Sequence, residues 1–226
     1  MEVIVLAGGM GTRLRTVVND LPKPMAPVNG KPFIEYLFQW LSLYPVSRII
    51  LSVGYKSETI SEYFGDNFRN IPIEYIVEPK PLGTGGAIKL ALNNTVEASV
   101  VIINGDTYFP IDLDRFLAFH VLNKSKLSIA LKKMEKFDRY GSVELIDQNI
   151  IRFNEKQFCE EGLINGGIYL VNAPYIRSIP FPEIFSFEKE VLEKQTNNGN
   201  LKGMVFGDPF IDIGIPEDYF KAAEIV

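Results

Sequence analysis

Residues 2–14 of the chain read EVIVLAGGMGTRL, in which a β-branched run passes directly into a glycine-rich stretch. Glu2 to Ala7 predicts a short strand, and the glycines of residues 8–11 predict a tight loop at its carboxyl end. In an open α/β sheet, ligands bind outside the carboxyl ends of the strands, and glycines let backbone N–H groups approach phosphate oxygens. This stretch therefore predicts an α/β fold with a site for a nucleotide phosphate in its first loop.

The spacing of these glycines excludes the two most familiar phosphate loops. The chain has no G-x-x-x-x-G-K-[ST] here, and the run lacks the third glycine of G-x-G-x-x-G. It is thus neither a P-loop nor a dinucleotide fingerprint. On the glycines alone, a plain turn from strand to helix remains open.

The apolar pattern of the first half indicates alternating strands and helices. Strands are predicted at residues 2–7, 48–53, 73–77 and 99–103, and helices from Pro32 onward and at residues 57–64 and 84–92. Because these strands are apolar on both faces, they predict a mostly parallel sheet between helices. The second half predicts closely spaced, antiparallel strands at residues 127–132, 142–146, 151–153 and 163–171, and helices at residues 185–195 and 216–225.

Length and composition bound the class of protein. The 226 residues, 46% hydrophobic and 23% charged, predict one globular domain. The apolar runs are far shorter than the roughly 20 residues of a membrane span, and no signal peptide is recognisable, so we expect a cytoplasmic protein with no membrane partner. The single Cys excludes an intramolecular disulfide, and one Cys with one His argues against a Cys/His zinc site and a Ser-His-Asp triad. A net charge of −5 argues against nucleic-acid binding.

Basic residues cluster in the segment after the glycine-rich loop. Between residues 8 and 31 the chain carries Arg13, Arg15, Lys23 and Lys31 against the single acid Asp20. Prolines flank Lys23 on both sides and fix φ, which stiffens the loop and aims its ammonium group. This pattern favours a small anionic ligand over a plain turn.

The combination of residues 8–14, GGMGTRL, with a lysine nine residues later in PKPM resembles the sugar-nucleotide pyrophosphorylases, or nucleotidyltransferases. The resemblance extends over essentially the whole chain and implies their Rossmann-like, glycosyltransferase-A-like fold. Residues 15–18 (RTVV), residues 81–88 (PLGTGGAI) and the short length are similar to the branch that transfers GMP to D-glycero-α-D-manno-heptose 1-phosphate. The resemblance implies a single domain, residues 1–226, with a nucleotide-binding half of about 1–110 and a sugar-phosphate-binding half of about 111–226.

The resemblance also implies a Mg²⁺ site and the catalytic residues. Asp106, in an N-G-D that ends a predicted strand, matches the family's metal ligand, although the same tripeptide also suits a simple turn. Asp212 matches the second carboxylate in the family's D-I-G-T-P element, where Ile215 here replaces the Thr. Arg13 is expected on the leaving pyrophosphate and Lys23 on the reacting phosphates.

Matching positions imply the two substrate pockets. The nucleotide is expected at a set of loop residues, namely Ala7, Gly8, Gly9, Gly11, Thr12, Arg13, Glu78, Pro79, Gly83 and Thr84. A carboxylate at Glu78 favours GTP, because it accepts hydrogen bonds from guanine N1–H and the 2-amino group. The sugar phosphate is expected at Gly141, Glu155, Lys156 and Asn165; for the glycine and the asparagine, a turn and a β-bulge are alternatives.

The implied activity is Mg²⁺-dependent transfer of GMP from GTP to a sugar 1-phosphate, in the synthesis of GDP-heptose for cell-surface polysaccharide. The alternatives are a uridylyl-, thymidylyl- or mannose-1-phosphate guanylyltransferase, a non-catalytic nucleotide-sugar-binding module, and an NAD-type enzyme. Asp106 and Asp212 speak against the module, and the missing third glycine speaks against NAD. The oligomeric state is not readable, with a homodimer as one option.

Overall fold

The computed structural model describes residues 1–9, 14, 17–18, 20–196 and 198–226. Gly11, Thr12 and Arg13 therefore lie outside the described residues. The strands are β1 Glu2–Ala7, β2 Pro27–Val28, β3 Lys31–Pro32, β4 Arg48–Val53, β5 Asn67–Phe68, β6 Ile71–Val77, β7 Ser99–Asn104, β8 Thr107–Tyr108, β9 Leu127–Phe137, β10 Gly141–Ile146, β11 Asn149–Lys156, β12 Cys159–Asn172, β13 Leu201–Phe206 and β14 Ile211–Asp212.

The helices lie between these strands. The α-helices are α1 Phe33–Leu41, α2 Ser57–Phe64, α3 Gly83–Leu92, α4 Leu113–Leu122, α5 Ala173–Ser178 and α6 Pro216–Ile225. Short 3₁₀ turns cover Lys23–Met25 and Glu193–Gln195, and a π-helix covers Glu188–Leu192. Among the described residues, no helix is long and apolar enough to cross a membrane.

One mixed sheet organises the described part of the chain, in the order β10-β11-β13-β9-β12-β7-β1-β4-β6-β5. Its central strands β7, β1, β4 and β6 pair in parallel. β12 then pairs antiparallel with β7 and β9, and β10 pairs antiparallel with β11. The predicted parallel sheet with added antiparallel strands is thus confirmed.

The central strands are buried on both faces because helices cover the sheet from both sides. Val3 and Val5 are fully buried in a core with α1, whereas Ile4 lies in a second core with Ile88 and Leu92 of α3. Continuous apolar runs are typical of parallel strands in such a sandwich. This packing holds the carboxyl ends of β1 and β7 side by side.

Most of the predicted elements are present, but several others were not foreseen. One is α4, which is capped by Asp112 accepting from the Arg115 N–H at 2.9 Å. The others are α5, β13 and the two-residue strands β2, β3, β5, β8 and β14. The helix predicted at residues 185–195 was wrong, because regular helix is replaced there by the π-helix and a 3₁₀ turn. The cause lies in Phe185, whose N–H donates to the Leu82 carbonyl and whose carbonyl accepts from the Gly85 N–H, so these groups do not take part in a regular helix.

His120 makes the stability of the fold sensitive to acid. Its side chain is 3% exposed, its Nδ1 lies 2.8 Å from Ser128 Oγ, and burial lowers its pKa to about 4. The unfolded chain therefore binds a proton near pH 6.5 that the folded chain refuses until about pH 4. We expect His120 to remove about 2 kcal/mol of unfolding free energy between pH 7.5 and pH 5.

Urea denaturation of the wild type and His120→Gln at both pH values checks this expectation. Titrating carboxylates affect both proteins equally, so the difference between their losses isolates the histidine. Equal losses in the two proteins would show that His120 is not responsible.

Candidate active site

Two cavities adjoin at the carboxyl ends of the central strands. The first cavity, of about 340 Å³, is lined by Leu6, Gly8, Gly9, Glu78, Pro81, Gly83, Thr84, Ala87, Asn104 and Asp106. The second cavity, of about 490 Å³, is bordered by β10, β11, β12 and the π-helix. Asn104, the last residue of β7, lines both cavities, so molecules bound in the two would meet beside Asp106.

The two candidate metal ligands are brought together by a two-stranded antiparallel pairing. Asp106 directly precedes β8, and Asp212 of β14 lies opposite Thr107 of β8. The Ile213 N–H donates to the Asp106 carbonyl at 3.0 Å, and the Gly214 N–H donates to Asp212 Oδ1 at 2.6 Å. Residues far apart in sequence therefore present their carboxylates at one point.

Lys23 joins this pair as a third charged group. Its ammonium donates to Asp106 Oδ2 and lies 3.6 Å from Asp212 Oδ1, and its side chain is only 12% exposed. Burial, and then repulsion from Asp106, raise the pKa of Asp212, while Lys23 opposes that rise. The sequence predicts that Lys23 contacts the reacting phosphates. In the structure its ammonium contacts the two carboxylates, Asp106 and Asp212.

The donor set fits a magnesium ion that also binds substrate. No cluster of three or more His, Cys, Asp or Glu side chains able to hold a metal occurs in the described part of the chain. Asp106 and Asp212 nevertheless offer hard carboxylate oxygens within reach of one ammonium. Mg²⁺ is characteristically bound through one or two carboxylates together with substrate phosphates. Such an ion would depend on a phosphate ligand to complete its shell.

Glu78 forms the floor of the first cavity beside the glycine-rich loop. Its Oε2 accepts from the Leu82 N–H at 3.2 Å and its Oε1 from Ser52 Oγ at 3.4 Å, while burial is the main cause that raises its pKa. A Cβ added at Gly8 would lie 2.1 Å from Glu78 Oε1. Glycine is thus required at position 8 for the carboxylate to sit against the loop.

The structure distributes the other expected nucleotide residues unevenly. Gly9 and Gly83 line the first cavity, whereas Ala7 is buried in the core and Pro79 is exposed; neither contributes to the lining. Thr84 lines the cavity, but its hydroxyl is already bonded to Glu188 and to the Phe187 N–H. The nucleotide contacts of these residues stay predictions, as do those of Gly11, Thr12 and Arg13.

The predicted sugar-phosphate residues meet in the second cavity. Gly141, Glu155, Lys156 and Asn165 all line it, from three different strands. Asn165 lies at an irregularity of β12, donates to the Tyr169 hydroxyl at 3.0 Å and accepts from the Gly167 N–H at 2.9 Å. Asp212 also lines this cavity, which places the carboxylate pair between the two pockets.

Sequence reasoning missed several polar residues of the second cavity. Asn154 donates to Ser142 Oγ and Glu144 Oε1, both at 3.1 Å, which fixes its amide in the wall. Further lining residues that were missed are Ser186, Glu188, Lys189 and Glu193. Asn154 directly precedes Glu155 and could have been included among the predicted sugar-phosphate residues. The lining residues after 185 were not predicted because an ordinary helix was expected there.

Two adjoining cavities, with a carboxylate pair and a nearly buried lysine where they meet, suit an enzyme that joins two substrates. The chain matches the nucleotidyl transferase family over residues 2–226 and belongs to it. It is 49% identical over 222 residues to the D-glycero-alpha-D-manno-heptose 1-phosphate guanylyltransferase of Aneurinibacillus thermoaerophilus, covering 98% of this chain and 96% of that protein.

Two further comparisons agree. The Campylobacter jejuni protein of the same name is 48% identical over 221 residues, covering 97% of each chain. The crystal structure of HddC from Yersinia pseudotuberculosis complexed with GMP-PN has a TM-score of 0.88 at 40% identity, covering 99% of this chain and 98% of that one. The resemblance read from the sequence motifs is confirmed.

Proposed function

We propose that this chain transfers GMP from GTP to D-glycero-α-D-manno-heptose 1-phosphate, forming GDP-heptose and pyrophosphate. The observation that carries the proposal is the meeting of two cavities at Asn104, beside Asp106, Asp212 and Lys23. Two relatives with this activity in their names are 49% and 48% identical to the chain over nearly its full length, which supports the choice of substrates. The complex of HddC with GMP-PN supports a guanine nucleotide in particular.

The chemistry is a single displacement at the α-phosphorus of GTP. A phosphate oxygen of the sugar phosphate forms the new bond to phosphorus, and the bond to the bridging oxygen breaks, so that pyrophosphate leaves with the electron pair. A phosphate monoester with a second pKa near 6 is already mostly ionised at neutral pH. The chain therefore needs no general base, in accord with its single, buried histidine.

The described residues supply position and charge for this step. In the proposal Asp106 and Asp212 hold Mg²⁺, which neutralises phosphate charge when it is bound. Lys23 and Lys156 place two cations near the carboxylate pair. Arg13 lies outside the described residues, and its role at the leaving pyrophosphate stays a prediction. Preorganised charges of this kind stabilise the transition state more than the ground state.

Mixing the chain with Mg²⁺, GTP and heptose 1-phosphate and measuring pyrophosphate tests the proposed function directly. Mannose 1-phosphate serves as the competing acceptor. Release of pyrophosphate with mannose 1-phosphate and none with heptose 1-phosphate would change the assigned acceptor. No release with any sugar phosphate would reject the proposed transferase activity. A cytoplasmic location stays a prediction, and a homodimer stays one option for the oligomeric state.

Glu78 is expected to select the base. Guanine offers its carboxylate two donors, whereas uracil and thymine set a carbonyl oxygen against it. A lost or unpaired contact in a desolvated pocket costs about 1–3 kcal/mol, so GTP should exceed UTP and dTTP at least about tenfold in kcat/KM. Glu78→Gln should narrow that ratio, because an amide both accepts and donates.

Competition assays with GTP, ATP, CTP, UTP and dTTP measure the preference for the base. Glu62→Gln, on the exposed surface of α2, is the matched control and should leave the ratio unchanged. A wild-type preference for UTP or dTTP would discard the guanylyl assignment and leave the nucleotidyltransferase family standing.

A further inference from the structure

Glu188 brings a partly unpaired carboxylate into the second cavity. Its Oε2 accepts hydrogen bonds from Thr84 Oγ1 and Ser186 Oγ, both at 2.7 Å. Its Oε1 has no hydrogen-bond partner among residues 1–9, 14, 17–18, 20–196 and 198–226. One oxygen is thus fixed, and the other is available to a molecule bound in the cavity.

The backbone around Glu188 is held firmly on α3. Phe185 exchanges hydrogen bonds with Leu82 and Gly85, at 3.1 Å and 3.0 Å, and the Phe187 N–H donates to Thr84 Oγ1 at 2.9 Å. A Cβ at Gly83, whose φ is +72°, would lie 2.6 Å from the Phe185 carbonyl oxygen. The stretch of residues 81–88 that resembles a nucleotide motif therefore also serves as the seat for the segment that carries Glu188.

The surroundings of Glu188 suit a sugar more than a phosphate. Glu188 lines the same cavity as Asn165 and Tyr169, and the Asn165 amide donates to the Tyr169 hydroxyl at 3.0 Å. Burial, and then the charge of Glu188, raise the pKa of that hydroxyl. An ionised carboxylate only accepts hydrogen bonds, and sugar hydroxyls donate them. Lys156 and Asp212 also line a further cavity to which Glu188 does not contribute, and that cavity offers a cation to the phosphate of the same substrate.

We propose that Glu188 is a specificity-determining residue that accepts hydrogen bonds from hydroxyls of the acceptor sugar, and that Thr84 positions it. This inference rests on the proposed function, in that the second cavity takes the sugar 1-phosphate. It adds a contact from the π-helix to those expected from Glu155 and Asn165 on the strands. π-Helical turns are frequent at functional sites because they displace one side chain out of the regular helical pattern.

Glu188→Gln tests the contact with little change of shape. We expect KM for the sugar 1-phosphate to rise about tenfold or more, because a charged acceptor is lost, while KM for GTP stays within about twofold. The same measurements on monodeoxy sugar 1-phosphates identify the hydroxyl: for the derivative that lacks it, wild type and Glu188→Gln should have equal KM. Thr84→Val should raise the sugar KM in the same direction, and Thr84→Ser, which keeps the hydroxyl, should restore it.

Glu183→Gln is the matched control, because Glu183 lies on the same segment in an exposed ion pair with Lys80. Binding of a GTP analogue to each variant, followed by calorimetry, establishes that it is folded. A Glu188→Gln enzyme with unchanged KM for every sugar phosphate, or with equal losses for the parent and all deoxy derivatives, overturns the role of Glu188. Absence of turnover and of sugar-phosphate binding in the wild type instead rejects the proposed function itself.

Discussion

Asp106→Asn and Asp212→Asn are each expected to lower kcat by a factor on the order of 10² to 10³ while the protein stays folded. Several kcal/mol of charge stabilisation depend on the two carboxylates, and each 1.4 kcal/mol corresponds to a factor of ten in rate. An amide keeps the size of the side chain and one acceptor oxygen, so the hydrogen bond from the Gly214 N–H to the side chain at position 212 can persist. The bond from the Ile213 N–H goes to the backbone carbonyl of residue 106, which neither substitution changes. Steady-state kinetics over a range of Mg²⁺ concentrations measures both the maximal rate and the apparent metal affinity.

Asp208→Asn is the control for this pair of substitutions. It makes the same chemical change four residues before Asp212, at a side chain without a hydrogen bond or ion pair among the described residues. Circular dichroism and thermal melting verify the fold of all three variants. A folded Asp106→Asn or Asp212→Asn enzyme with near-normal Mg²⁺-dependent turnover would show that the residue does not hold the metal.

Lys23→Ala is expected to lower kcat by about 10²-fold and to change KM for GTP far less. The nearly buried ammonium contacts both acids of the carboxylate pair, so its removal leaves two like charges uncompensated at the reacting centre. Its flanking prolines hold it at a fixed place in the loop, which favours an interaction made most strongly in the transition state.

Lys31→Ala distinguishes this role from a general loss of positive charge. Lys31 belongs to the same basic segment, but its ammonium is about half exposed and pairs with Glu35 at 3.4 Å. Its substitution should leave kcat within about twofold, as expected of an exposed ion pair. If Lys23→Ala raised only KM for GTP, Lys23 would be a ground-state binding group; if it changed neither constant, the residue would lie outside the mechanism.

The sheet could be predicted because its signals are local. Runs such as Arg48–Val53 are apolar on both faces, and such strands are typical of a parallel sheet covered by helices. α4 was missed because its apolar pattern is blurred at its carboxyl end, where Leu122 is 81% exposed and Val121 58% exposed. Because these apolar residues are exposed, the sequence pattern does not show which face of α4 is buried, although Phe116 on that face is fully buried.

The site was predictable only in part, since its geometry depends on pairing between distant segments. Asp106 and Asp212 were identified by resemblance to family motifs, and the β8–β14 pairing supplies the physical reason that they meet. No local pattern relates Thr84 to Glu188, more than a hundred residues away in sequence. The flanking prolines indicated that the Lys23 ammonium is held in one direction. Its partner Asp212, however, is set by the position of β14 beside β8, which the sequence does not reveal.

β12 also determines the order in which the nascent chain can mature on the ribosome. This fourteen-residue strand covers the open edge of β7 and joins β9 to the centre of the sheet. Until Asn172 has been synthesised, residues 99–104 present an apolar strand with unsatisfied backbone groups, which is the kind of edge that recruits other chains. Translation that halts before β12 is complete would therefore leave that apolar edge of β7 unpaired.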